Sequence, residues 1–139
     1  MEITTIGSNE TFAFGSKFAG EYEKRVICLF GNLGSGKTTF VAGFAKGLGI
    51  ESRILSPSFV LVRSYPFVKW DKNFVFHHVD LFRLEVGQID SIGLDDILDD
   101  PFAVVAIEWP EKIISRLPED RHEIYFEVID EFTRRIRTN

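Results

Sequence analysis

Apolar residues in this chain fall into short blocks parted by polar, glycine-bearing and proline-bearing segments, and the blocks differ in period. Residues 26–30, "VICLF", are continuously apolar, the pattern of a strand covered on both faces. Downstream, Phe40, Val41, Phe44 and Leu48 recur at helical spacing, with Gly47 and Gly49 as a stop signal. "FVLVRSY" at 59–65 reads as a strand and "WDKN" at 70–73 as a turn into the next one, giving a hairpin entered through Ser56 and Pro57. The interrupted segment 56–73 is the one expected to move. "NFVFHHVDLFRL" at 73–84 and "FAVVAIEWP" at 102–110 are two further strand-like runs, and "DSIGLDDILDDP" at 90–101 reads as an amphipathic helix with a solvated acidic face. Alternating strand-like and helical blocks predict an α/β fold with a mostly parallel central sheet flanked by helices.

The join between the first strand and the first helical block carries chemistry. "LFGNLGSGKTTF", residues 29–40, fits G-x-x-x-x-G-K-[ST] with Gly31, Gly36, Lys37 and Thr38. It lies after a strand and opens a helix, the context a phosphate-binding P-loop requires. Backbone N–H groups around Gly34, Ser35 and Gly36 would cradle phosphate oxygens. Lys37 would reach the β- and γ-phosphates of a bound polyphosphate, Thr38 would ligate the magnesium that bridges them, and Thr39 could reach the α-phosphate. The fold expectation is thereby a P-loop NTPase-like domain.

Two strand-like runs end in acids, Asp80 and Glu108. In an open α/β sheet ligands bind outside the carboxyl ends of the parallel strands, so both carboxylates are expected at the edge that holds the P-loop. There one would hold magnesium and the other orient an attacking water. The competing reading of an acid after a strand is a helix cap or a solvated side chain. His77 and His78 precede Asp80, face opposite sides of the sheet at period two, and receive no role.

Composition narrows the setting. The 139 residues suit a single domain, 1–139, and the formal net charge of −5 argues against broad nucleic-acid binding. Cys28 is the single cysteine and lies within the apolar strand, no run approaches about 18 apolar residues, and the N-terminus has no basic start. A soluble, cytoplasmic protein with no membrane contact is expected.

Four segments in order, "GNLGSGKTTF", "SPSFVLV", "HHVDLFRL" and "IEWPE", closely resemble the motifs of the TsaE family, small P-loop ATPases of bacterial tRNA threonylcarbamoyladenosine synthesis. The resemblance spans nearly the whole chain. It implies Gly34 to Thr39 as the phosphate cradle, Thr38, Asp80 and Glu108 around magnesium, and Glu108, Asp80 and Lys37 as the catalytic set. It also implies Ser56, Pro57 and Ser58 as a nucleotide-sensitive switch loop, Trp109 as a functional aromatic, Thr11 near the adenine, and Arg134, with Arg135 as second choice, reaching the nucleotide. Ser35, Ser58 and Phe82 depart from the family's usual residues, the hydroxyl being kept at 58. The implied activity is a Mg-dependent ATPase, slow alone, that works with the TsaB and TsaD proteins and meets tRNA only through that assembly. A small metabolite kinase and a nucleotide-dependent interaction module without useful turnover are the alternatives; the first wants an arginine-rich lid that the chain lacks, and the second leaves Glu108 without a task.

Overall fold

A computed structural model describes residues 1–54, 61–85 and 87–139. The strands are β1 (Glu2–Ile6), β2 (Val26–Phe30), β3 (Val62–Lys69), β4 (Lys72–Asp80), β5 (Ala103–Glu108), β6 (His122–Val128) and β7 (Thr133–Thr138). The α-helices are α1 (Ser8–Phe18), α2 (Lys37–Gly47) and α3 (Leu94–Asp99). Among the described residues the seven strands form one sheet in the order β1-β7-β6-β2-β5-β4-β3.

This sheet is mixed, which corrects the expectation of a mostly parallel one. β2 pairs in parallel with β5 and β6, and β4 with β5; β1–β7, β6–β7 and β3–β4 are antiparallel. The division follows chain connectivity. Parallel neighbours need a long crossover, whereas a two-residue link permits only a hairpin. Trp70 and Asp71 form that link between β3 and β4 with φ of 52° and 59°, the left-handed pair that matches strand twist. The turn at 129–132 likewise folds β7 back onto β6, with Asp130 Oδ1 accepting the Phe132 N–H at 3.0 Å.

β2 occupies the middle of the sheet, as its apolar sequence predicts: Val26 through Leu29 are all buried. On one face, alternate strand residues Ile27, Leu29, Phe76, Val104, Ala106, Ile124, Phe126 and Ile136 pack under α1 and α2. On the other, Cys28, Val79, Val105 and Ile107 pack with Leu94, Ile113 and Leu117. Burial pushes the Cys28 thiol up to about 12, so it is an inert core residue.

α1 and α2 lie unusually close. α1 turns Thr11, Phe14, Gly15 and Phe18 inward at helical spacing, and Phe14, Phe18, Phe40 and Phe44 interleave with centroids 5.7–6.3 Å apart. Contact at this distance needs missing side chains. A Cβ on Gly15 would lie 2.2 Å from the Phe40 carbonyl oxygen, and one on Gly43 would lie 1.9 Å from that of Phe12. The packing fixes the first turns of both helices relative to one another.

The acidic segment is broken rather than continuous. A 3-10 turn at Ile89–Ile92 is separated from α3 by Gly93, whose φ is 70°, so only Leu94 is fully buried there. Asp90 and Asp95 pair with Arg116 at 3.1 Å each. The switch loop Ser56 to Ser58 and the start of the "FVLVRSY" strand lie outside the described residues. Among the described residues no helix is long and apolar enough to cross a membrane.

Candidate functional site

The carboxyl ends of β2, β4 and β5 meet at one cleft of about 480 Å³, within the range of small-ligand sites. The cleft sits where β2 has parallel neighbours on both sides, β5 and β6, the position at which open α/β sheets bind ligands. Gly34, Gly36, Lys37, Thr38, Thr39, Asp80, Glu108, Thr11 and Arg134 all line it. One loop-helix junction, two strand ends, α1 and β7 supply these groups.

The loop before α2 turns through left-handed backbone at Gly34 and Gly36, with φ of 76° and 105°. Gly36 serves as the N-cap of α2 without a side-chain cap. First-turn N–H groups of a helix have no carbonyl partner within it, and the partial positive charge there favours an anion. Ser35, expected in the cradle, is 1% exposed and does not line the cleft: its N–H donates to the Asn32 carbonyl at 3.2 Å, and its buried Oγ has no partner among the described residues.

Lys37 opens α2 and is 4% exposed. Its ammonium donates to the Gly31 carbonyl and lies 3.8 Å from the centre of the Trp109 ring. Burial lowers its pKa from the ordinary lysine value, and the carboxylates of Glu108, Asp80 and Glu111 oppose that shift. Trp109 takes φ 61° directly after β5, which turns its ring out of the strand and into the cleft, against Phe82 at 5.1 Å. The functional aromatic expected at 109 is thus in the cleft.

Asp80 and Glu108 are 7% and 3% exposed, and strand register sets them side by side across β4 and β5. Asp80 Oδ1 accepts the Phe82 N–H at 3.0 Å, fixing the turn out of β4. Thr38 Oγ1 donates between both oxygens of Glu108 at 3.3 and 3.2 Å. His78 Nε2 lies 2.6 Å from Oε2 of Glu108, the ring being fully buried. Thr38, Asp80 and Glu108 therefore bring three hard oxygen donors to one wall. Among the described residues no group of three or more His, Cys, Asp or Glu forms a protein-only metal cage. A hydroxyl with two carboxylates fits magnesium, which takes few protein ligands and keeps phosphate and water for the rest.

The two arginine choices separate cleanly. Arg134 lines the cleft and donates to the Gly34 carbonyl at 3.0 Å, strapping β7 to the glycine-rich loop. Arg135 faces away and pairs with Glu127 and Glu2 at 3.3 and 3.6 Å. The Thr11 hydroxyl is shared with Thr5 at 2.8 Å within the core, and its methyl is the nearest group to a Cβ built on Gly36, at 3.4 Å.

Residues 6–136 match the family described as "Threonylcarbamoyl adenosine biosynthesis protein TsaE". The chain belongs to the TsaE family. It is 40% identical over 98 residues to the tRNA threonylcarbamoyladenosine biosynthesis protein TsaE of Borreliella burgdorferi, covering 70% of this chain and 68% of that one. It is 34% identical to the Bacillus subtilis protein of the same name over 126 residues, covering 89% and 75%. The crystal structure of Bacillus subtilis YdiB superposes with a TM-score of 0.78 and 30% identity, over 98% of this chain and 82% of that one. The role carried by the family is tRNA threonylcarbamoyladenosine biosynthesis.

Several groups at this cleft received no role from the sequence, Phe132 and His78 among them. Phe132 lines the cleft from the β6–β7 turn and is 63% exposed; a lone aromatic in a polar turn gives no periodic signal. His78 was visible only as one of two adjacent histidines, and period two could separate their faces without saying which face held the site.

Proposed function

We propose that this protein is the ATP-binding and ATP-hydrolysing subunit of the tRNA threonylcarbamoyladenosine machinery, a P-loop NTPase that acts in the cytoplasm with the TsaB and TsaD proteins and meets tRNA only through them. The observation that carries the reading is the convergence of Lys37, Thr38, Asp80 and Glu108 on a cleft floored by the glycine-rich loop. Lys37 moves its ammonium from the Gly31 carbonyl to the β- and γ-phosphate oxygens. Gly34 to Thr39 supply N–H donors along the phosphates, and Arg134 closes the cleft from β7. Thr38 and Asp80, with Glu108 beside them, would hold magnesium. That ion, when bound, would neutralise charge on the β- and γ-phosphate oxygens. Glu108 orients a water in line with the γ-phosphate, taking a hydrogen bond from it and polarising it for attack. Thr11 lines the cleft with Gly7 and Ser8 from the start of α1, and the adenine would lie against them.

Turnover alone is expected to be slow. Arginine fingers contribute about 10³–10⁵ in rate to enzymes of this class, and the arginine lining this cleft is tied to the loop backbone rather than to the acidic end. TsaB and TsaD would then supply or organise what is lacking. The test is calorimetric titration with ATP in the presence of magnesium and again with excess chelator. The reading requires saturable one-to-one binding that weakens sharply without the metal; no heat with either titrant would reject it.

A further inference from the structure

The fully buried histidine beside the acidic pair has a place in the core that an apolar residue would fill at less cost. His78 lies on the same face of β4 as Phe76, which is wholly within the apolar core under α2. Its Nδ1 is buried and has no partner among the described residues, so the ring loses one hydration site without return. Among the described residues its polar contact is the 2.6 Å bond from Nε2 to Oε2 of Glu108.

We infer that His78 is a positioning residue, which fixes the rotation of the Glu108 carboxylate by donating its Nε2–H to Oε2. The inference rests on the ATPase reading above and assigns what sets the geometry of its water-orienting group. A carboxylate oxygen accepts only, so a bond to the Glu108 carboxylate requires the proton on Nε2. The terminal torsion of a glutamate is broad. Thr38 does not select a rotation, because it lies 3.3 and 3.2 Å from the two oxygens. His78 bonds one oxygen and is itself fully buried in the core. It therefore ties down Oε2 and leaves Oε1 the freer oxygen for water.

His78→Leu keeps the apolar surroundings and removes the donor; His78→Gln replaces the donor with an amide of similar reach. Loss of an outer-shell partner typically costs about 10–100-fold in activity. Single-turnover phosphate release should fall by that factor in His78→Leu, with Mg-ATP affinity within about threefold of wild type, and most of the rate should return in His78→Gln. Wild-type protein labelled with ¹⁵N-histidine should show a far-downfield proton on one nitrogen of His78, and this signal should move upfield in Glu108→Gln. Full activity in His78→Leu, equal loss in both variants at preserved folding, or affinity falling in step with rate would overturn the inference. If wild-type protein fails to bind or hydrolyse ATP, the ATPase reading falls, while the histidine spectrum still decides whether the bond exists; an unbonded His78 proton sinks the inference by itself.

Discussion

Lys37→Met removes one charge and nearly nothing else. The lysine stem is enclosed, the residue being 4% exposed, so a methionine of similar length keeps most of the packing. The folded protein loses the bond from Nζ to the Gly31 carbonyl and the contact with the Trp109 ring. An unmade hydrogen bond costs up to about 1–3 kcal/mol at a fully buried carbonyl, and less at the half-buried Gly31. Against this, the variant no longer buries an ammonium whose pKa burial pulls down. The two effects oppose, and the net change in stability should stay within about 1 kcal/mol, a melting shift of at most about 4 °C for a domain of this size. Binding responds differently. The ammonium would make charge-assisted bonds to oxygens of two phosphates, at about 1.5–3 kcal/mol each. Their sum, about 3–6 kcal/mol, corresponds to a loss of roughly 10²–10⁴ in affinity. Calorimetric titration with Mg-ATP reads the affinity and a thermal melt reads the fold. Binding within threefold of wild type by a folded variant would refute the assignment of Lys37 to the phosphates.

Further perturbations separate the parts of the account. Asp80→Asn should raise the magnesium concentration needed for ATP binding, whereas Glu108→Gln should keep bound ATP and lose at least about 10²-fold in hydrolysis; equal loss of ATP binding in both would refute this division. Gly43→Ala should destabilise by at least about 1–3 kcal/mol through overpacking, since its Cβ would lie 1.9 Å from the Phe12 carbonyl oxygen, and a melting temperature equal to wild type would show that α1 and α2 are not in contact there. His122 Nε2 accepts the N–H groups of Glu23 and Lys24 at 3.1 and 3.2 Å, and burial, with Lys24 adding to it, lowers its pKa from 6.5. The unfolded chain therefore takes up that proton first, so stability should be full above the unfolded value and fall as pH drops through it towards the lowered folded value. Melting curves from pH 7 to 5 should flatten in His122→Gln, in which a side-chain oxygen replaces the acceptor; an unchanged slope would contradict the assignment.

The centre of this fold was legible because burial on both faces leaves an unbroken apolar run, as in "VICLF" and "AVVAIE". The flanks were harder to read. β6 and β7 expose one face, and β7 places Arg135 and Arg137 on it, so "TRRIRT" reads as a charged tail until its pairing with β1 and β6 is seen. Counting only the runs that look buried overstates the parallel part of the sheet. In the cleft, the glycine-rich loop and both acids were legible, since each follows an apolar run directly. Arg134 could be told from Arg135 only by the face that strand register assigns. The bond between His78 and Glu108 depends on the register of β4 against β5, which pairs His78 with Ala106 and Asp80 with Glu108, and no local pattern encodes that offset.

The central claim is that this cleft hydrolyses ATP under the control of its partners. Steady-state phosphate release, measured for this protein alone and then with a TsaB and TsaD assembly added, tests it most directly, with Glu108→Gln run beside it to exclude contaminating activity. Release should be slow alone and rise at least about tenfold on adding the assembly, well within the reach of a supplied charge, with neither signal in Glu108→Gln. Fast release alone that the assembly leaves unchanged, or release that survives in Glu108→Gln, would contradict it.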